Sequence, residues 1–207
     1  MTKPAQPIRV YNSPLSGHCH RVRLLLSLLE LPHEVIDVDL RAGAQKRPEF
    51  LAKNPLGQVP VIEDGDVVLY DSNAILVYLA LRYDEERRWL PRDPVAAATV
   101  VRWLGLAAGP IYFGPNLARA AALFKAPVDQ NQAKAVGERL LAGLEQELAG
   151  KAFALGAEPS LADVAGYAYI VVAPEGGIAL EPYPNVRAWL ARIEALPRFT
   201  PMARVGR

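Results

Sequence analysis

The spacing of apolar and polar positions predicts alternating strands and helices in residues 1–84. Apolar residues alternate with polar ones in the predicted strands and recur every three or four positions in the predicted helices. In chain order the predicted elements are a strand at 8–11, a helix at 20–31, a strand at 34–40, a short helix at 48–54, a hairpin at 60–70 and a helix at 72–83. The strand at 34–40 places Ile36, Val38 and Leu40 on one face. The hairpin turns at Asp64-Gly65.

Beyond this region the pattern is almost purely helical. A polar stretch at 85–94 is predicted to be a linker, and residues 95–207 to form a helical domain. Helices are expected at 95–124 with a break near Gly114-Pro115, and at 129–149, 160–173 and 185–196. Ser160 and Asp163 have the spacing of a capping box, and the helix that follows is apolar on all sides. We therefore expect that helix to lie in the middle of the domain.

Composition and charge exclude several classes of function. Lysine and arginine total 23 against 22 acidic residues, so the net charge of +1 favours neither a nucleic acid nor an anionic membrane as partner. The N-terminus lacks the apolar core of a secretion signal, and Pro174 and Glu175 interrupt the most apolar late stretch. Cys19 is the only cysteine, which excludes an intramolecular disulfide and favours a reducing compartment. We expect a cytoplasmic protein.

Ser16-Gly-His-Cys19 lies between the first strand and the first helix and has the spacing of thioredoxin-like redox motifs, with serine in the first place. A helix N-terminus stabilises a thiolate through its dipole and its unpaired N–H groups, and a serine hydroxyl can donate to that sulfur. The simpler interpretation is that Ser16 only caps the helix. A metal site at His18-Cys19-His20 is not expected, because consecutive helical residues point about 100 degrees apart.

Two further features pair with this motif. Val59-Pro60 directly precedes a predicted strand, where a cis proline would leave the Val59 backbone free to pair with an extended peptide; an ordinary loop proline is the alternative. Asp71-Ser72 opens the third helix, where helix N–H groups and the Ser72 hydroxyl suit a carboxylate and Asp71 suits an ammonium. Simple capping is the alternative here.

The segments PLSGHCHRVRLLL, PEFLAKNPLGQVPVIEDG and LYDSNAILVYL resemble the glutathione-binding domain of glutathione transferases. SLADVAGYAY and YPNVRAWLARIEALP resemble the helical domain of bacterial members. The resemblance covers nearly the whole chain. It implies a thioredoxin-like domain of order βαβαββα followed by an all-helical domain, an α/β plus all-α architecture.

The resemblance also implies roles for single residues. Ser16 falls at the catalytic serine of the theta-, phi-, zeta- and delta-like classes. The remaining matches bind glutathione: Val59 and Pro60 pair with its cysteinyl part, Gln58 reaches the tripeptide, Asp71 and Ser72 clamp the γ-glutamyl group, and Gln45 and Lys46 fall at its glycine end. Asp71 replaces the more usual glutamate, and Gln45 replaces a histidine that several classes carry.

The implied function is a homodimeric glutathione transferase, with glutathione as co-substrate and no metal, that activates glutathione as a thiolate for attack on a small, apolar electrophile. A glutathione-dependent disulfide reductase or peroxidase, and a non-catalytic ligand-binding or interaction module, are the alternatives. Trp103, Tyr112 and Phe113 lie where the family builds its second-substrate pocket, although core packing is the simpler interpretation of such aromatic residues.

Overall fold

The computed structural model describes residues 3–205 and divides them into two compact units. The first unit runs to Arg87 and also contains Pro197–Ala203. The second comprises Arg88–Leu196 with Arg204 and Val205.

The first unit contains a four-stranded mixed sheet and three α-helices. Its strands are β1 (Ile8–Asn12), β2 (His33–Asp37), β3 (Val61–Asp64) and β4 (Val67–Tyr70), and its helices are α1 (Gly17–Leu28), α2 (Pro48–Leu51) and α3 (Ser72–Tyr83). The strand order is β2-β1-β3-β4, with β1 parallel to β2 and antiparallel to β3. The predicted order βαβαββα of a thioredoxin-like domain is confirmed.

Alternation along β1 shows why this sheet forms. Ile8 and Val10 are fully buried on one face, while Arg9 between them is exposed. On the opposite face Tyr11, Phe50 and Val61 form a small apolar cluster. The sheet therefore has helices or apolar side chains against both of its faces.

Several element boundaries differ from the prediction, among them the end of the second strand and the start of the first helix. The second strand ends at Asp37, and the side chain of Leu40, expected in a half-buried strand, is exposed. Helix α1 begins at Gly17, three residues before the apolar repeat, because Ser16 caps it there. An apolar repeat marks the buried face of a helix, but the capping residue sets its start.

The segment Pro197–Ala203, which sequence analysis assigned to the helical domain, packs against α1 in the first unit. The Nε2 atom of buried His20 hydrogen-bonds to the Thr200 carbonyl at 2.7 Å, and the Ser27 hydroxyl donates to the Arg198 carbonyl at 2.7 Å. Met202 is 4% exposed. These contacts join two parts of the chain that lie about 180 residues apart, a relation that no local pattern reveals.

The second unit is helical, as predicted. Its α-helices are α4 (Pro94–Ala108), α5 (Leu117–Phe124), α6 (Gln130–Glu147), α7 (Leu161–Val171) and α8 (Pro184–Glu194). Every residue of α7 is buried, which confirms its central position. The capping box is also confirmed: Asp163 accepts hydrogen bonds from Ser160, the Ala154 N–H and the Trp189 indole.

The predicted break near Gly114-Pro115 is a π-helical turn, Tyr112–Asn116. Here the chain passes so close to α6 that a Cβ atom on Gly114 would lie 2.7 Å from the Gly137 backbone nitrogen. Proline removes a backbone donor and glycine permits the close approach. Glycine at positions 114 and 137 lets the π-helical turn and α6 pack backbone to backbone.

By length and composition alone, the helical run Pro94–Phe124 is long and apolar enough to cross a membrane. Core helices of globular proteins can be equally long and apolar, so this is weak evidence for a membrane span. Within the second unit this run contributes the fully buried side chains of Val100, Trp103 and Ala107 to the core.

Candidate functional site

Ser16 occupies the turn between β1 and α1. Its backbone is extended and its Oγ atom accepts a hydrogen bond from the Cys19 N–H at 3.3 Å. A hydroxyl that accepts a bond keeps its own proton available for donation. No described residue accepts the N–H of Gly17, the first residue of α1. This helix end therefore offers donors and the positive end of a dipole to an anion.

Cys19, the other end of the motif, is a core residue. Its side chain is fully buried and its sulfur accepts the Ser13 N–H at 3.4 Å. Burial raises the pKa of the thiol to about 11 from 9.0, and this outweighs the lowering effect of the neighbouring Ser16 side chain and of the Ser13 N–H. The thiol is protonated at neutral pH and is not the nucleophile of the site.

The Val59-Pro60 peptide bond is cis, as the sequence suggested. Among the described residues, none hydrogen-bonds to the backbone N–H or C=O of Val59. The preceding loop is held by the Asn54 amide, which donates to the Gln58 carbonyl at 2.8 Å, while the Gln58 side chain is exposed. One residue before β3, a donor and an acceptor thus remain for an extended ligand.

Asp71 and Ser72 form the N-terminus of α3. Asp71 has a φ of 66°, a left-handed value that costs energy for a non-glycine residue, and its carboxylate accepts the N–H groups of Asn73 and Ala74. Ser72 is 3% exposed, and no described residue accepts its backbone N–H. The turn suits a ligand carboxylate at Ser72, while the Asp71 carboxylate is also occupied as a cap.

Two residues beside Ser72 were missed by sequence reasoning. The Nδ1 atom of His18 lies 3.3 Å from Ser72 Oγ, and Nη1 of Arg21 lies 3.4 Å from the same oxygen and 2.8 Å from the Asn73 amide oxygen. Burial, and secondarily the charge of Arg21, lowers the pKa of His18 to about 3. His18 is therefore neutral at physiological pH.

A sequence signal for Arg21 existed. Its guanidinium is fully buried, on the helix face that also carries Leu24 and Leu25. A cation in such an apolar repeat indicates a buried charge with polar partners.

The loop assigned to the glycine end of glutathione lies beside the Val59 loop. Lys46 is exposed and its Nζ donates to the Leu56 carbonyl at 3.2 Å. Gln45 donates weakly to the Leu40 carbonyl at 3.4 Å, and its buried Oε1 has no hydrogen-bond partner among the described residues. The loop brings one cation and one amide close to Leu56 and Gly57, in the loop that precedes Val59.

The three aromatic residues assigned to the second-substrate pocket have different environments. Trp103 is fully buried, donates to Glu147 at 3.2 Å and packs on Trp189 at 5.7 Å between ring centroids. It belongs to the helical core, the alternative that the sequence left open. Tyr112 is half-buried and Phe113 is 55% exposed, with their rings in edge contact. Both remain predicted pocket residues.

Across residues 3–205 there is no group of three or more histidine, cysteine or acidic side chains arranged to hold a metal ion.

Two family models match this chain. The model for the N-terminal domain of glutathione S-transferases matches residues 15–82, and that for their C-terminal domain matches residues 111–197. Glutathione S-transferase 3 of Zea mays is 35% identical over 208 residues, which covers 93% of this chain and 91% of the maize protein.

Solved structures of glutathione transferases are also similar to this chain. The crystal structure of a glutathione S-transferase from Pseudomonas fluorescens Pf-5 matches with a TM-score of 0.88 at 34% identity, covering 95% of this chain and 99% of that one. A glutathione transferase homolog from Drosophila mojavensis, solved with bound glutathione, matches with a TM-score of 0.81 at 25% identity, covering 92% and 89% of the two chains.

A thioredoxin-like unit and a helical unit that match these two domain models define a class of enzyme that uses glutathione as co-substrate. The chain belongs to the glutathione S-transferase family. Cytoplasmic location and homodimerisation are typical of that family.

Proposed function

We propose that this enzyme ionises the thiol of glutathione at Ser16 and directs the thiolate at a small, apolar electrophile. The observation that carries the proposal is the Ser16 hydroxyl, which accepts the Cys19 N–H at the N-terminus of α1 and so keeps its proton for a sulfur anion. The thiol proton goes to solvent and the sulfur forms a bond to an electrophilic carbon. In substitution on an aryl halide the halide departs with its electron pair, and in addition to an activated alkene the electron pair of the double bond takes up a proton from solvent.

The other predicted residues support binding of the tripeptide. The Val59 N–H and C=O pair with its cysteinyl backbone, Ser72 receives the γ-glutamyl carboxylate and Asp71 its ammonium group. Gln58, Gln45 and Lys46 hold the rest of the peptide and its glycine carboxylate. The homolog from Drosophila mojavensis was solved with bound glutathione, which supports the assignment of this ligand.

The energetic requirement is modest. A free thiol has a pKa of about 8.5, so a few per cent is ionised at neutral pH. Lowering this value by about two units makes the thiolate the main form and contributes roughly 2.7 kcal/mol. One hydrogen bond to a charged group contributes about 1.5–3 kcal/mol, so the Ser16 hydroxyl and the helix N-terminus together are sufficient.

The alternatives receive less support. A reductase that works through a protein thiol needs an accessible cysteine, whereas Cys19, the only one, is fully buried. A reductase that uses only the glutathione thiolate shares the proposed site and is distinguished by its substrates. A non-catalytic module would use the Ser16 hydroxyl only as the cap of α1, so loss of that hydroxyl would leave it no activity to lose.

Homodimerisation and a cytoplasmic location form part of this proposal and follow from the family. Sedimentation equilibrium tests the first: a mass of two 22.6 kDa chains is expected. A single-chain mass at micromolar concentration would refute dimerisation.

The test of the function is the ultraviolet absorbance of the thiolate of glutathione bound to saturating protein, titrated across pH. We expect ionisation about two pH units below that of free glutathione, and turnover of aryl halides or activated alkenes. A bound thiol that ionises like the free one would overturn the proposal.

A further inference from the structure

We propose that His18 and Arg21 are positioning residues that both donate to Ser72 Oγ, so that the Ser72 hydroxyl can only donate outward, to the γ-glutamyl carboxylate of glutathione. The inference deepens the proposed function and rests on it. Arg21 is fully buried and thus does not touch the ligand, so it acts through Ser72.

The direction of the contact between Arg21 and Ser72 is determined first. The Nη1 atom of Arg21 carries two hydrogens and donates to Asn73 Oδ1 at 2.8 Å and to Ser72 Oγ at 3.4 Å, which lie on consecutive residues of α3. Arginine has donors only, so Ser72 Oγ must accept in this contact. One lone pair of the hydroxyl is therefore filled from inside the protein.

His18 decides the direction of the hydroxyl proton. If Nδ1 of His18 were the acceptor, Ser72 would give its proton to the imidazole and would face the ligand with a lone pair, which repels a carboxylate. If Nδ1 carries the proton, both lone pairs are filled and the hydroxyl proton points outward. In the second arrangement the Ser72 hydroxyl faces the ligand as a donor. The Ser72 backbone N–H, which no described residue accepts, is a donor as well, so both groups suit an anion.

His18 and Arg21 lie on α1 and Ser72 lies on α3. Their arrangement therefore depends on the packing of these two helices within the first unit. Burial makes the arrangement rigid: Ser72 is 3% exposed and the guanidinium is enclosed. A hydroxyl that is held by two internal donors needs no reorientation when the carboxylate arrives.

The test compares wild type with Arg21→Met and His18→Leu, using calorimetric binding of glutathione and two analogues. Glutaryl-Cys-Gly keeps the carboxylate and lacks the ammonium group; 4-aminobutanoyl-Cys-Gly lacks the carboxylate. We expect each variant to bind glutathione and the glutaryl analogue about tenfold more weakly, with unchanged affinity for the aminobutanoyl analogue. His18→Asn, whose amide nitrogen replaces Nδ1, should restore most of the affinity.

Two further readouts complete the test. A long-range proton–nitrogen NMR spectrum should show the His18 proton on Nδ1, and a proton on Nε2 alone would overturn the inference. Equal weakening for both analogues, or no weakening, would also overturn it while leaving the proposed function intact. His18 is half-buried, so its variants carry the test if Arg21→Met does not fold. Wild type that binds neither glutathione nor the glutaryl analogue would overturn the function as well.

Discussion

Replacement of Ser16 by alanine separates the two roles of this side chain. As the N-cap of α1, Ser16 accepts the Cys19 N–H at 3.3 Å. As the proposed activating group, it donates its hydroxyl proton to the glutathione sulfur. Ser16→Ala removes both bonds, and each loss is measured by a different experiment.

The structure sets the expected magnitudes. Loss of an N-cap costs about 1 kcal/mol of folding free energy. The cap bond of Ser16 is long, at 3.3 Å, so we expect its loss to cost no more than this. Loss of a hydrogen bond to the thiolate costs about 1.5–3 kcal/mol, which raises the pKa of bound glutathione by about one to two units. The dipole of α1 remains in the variant, so the pKa should stay below that of the free thiol.

The assay combines urea unfolding with the pH titration of thiolate absorbance. Asp129→Ala is the matched control, because Asp129 caps α6 through the Gln132 N–H and lies outside the site. It should lose the same stability as Ser16→Ala and keep both thiolate formation and turnover.

For Ser16→Ala we expect turnover at pH 6.5 to fall by about fivefold to fiftyfold, in proportion to the lost thiolate, with recovery as the pH rises. A variant that keeps the wild-type thiolate pKa, with only its stability reduced, would show that Ser16 is a cap and nothing more.

Three further predictions concern folding. Burial lowers the pKa of His20 to about 4 from 6.5, so the folded protein binds fewer protons than the unfolded chain between these pH values. The contribution of neutral His20 to the free energy of unfolding is therefore complete above about pH 6.5 and is lost as the pH falls toward 4. Urea unfolding should therefore show wild type losing about 2 kcal/mol more than His20→Gln between pH 7 and pH 5, and equal losses would refute the argument. Asp163→Asn places an amide donor against the N–H donors of Ala154, Ser160 and Trp189 that the carboxylate accepts, and should cost about 3 kcal/mol; a melting temperature within a degree or two of wild type would contradict this. Gly137→Ala should destabilise by about 1–3 kcal/mol because its Cβ would lie 2.6 Å from Ile178 and 3.3 Å from Pro115. Gly143→Ala in the same helix has open space and should be neutral or stabilising by up to about 1 kcal/mol, so similar melting temperatures for the two variants would refute the steric argument.

Much of the candidate site was accessible from local sequence. Ser16, the Val59-Pro60 pair and Asp71-Ser72 lie where strands and helices begin, and such positions have their own residue preferences. The capping box of α7 was predicted for the same reason, since Ser160 and Asp163 lie within one turn.

Other residues escaped this reasoning because their partners are remote in the chain. Trp103 is a large aromatic residue, which suits a pocket wall as well as a core. Only its contacts with Glu147 and Trp189 place it in the core. Arg21 belongs by spacing to the apolar face of α1, and its role depends on Ser72 and Asn73, which lie more than 50 positions away.

The sequence by itself determined the order of the elements, the two-part organisation and the motif residues, because periodicity, capping and turn chemistry act over a few neighbouring positions. Tertiary structure decided which side chains meet: His18 and Arg21 at Ser72, the late segment against His20, and the glycine contact between the π-helical turn and α6. These contacts join distant parts of the chain, and their geometry depends on how whole helices pack, which no local pattern encodes.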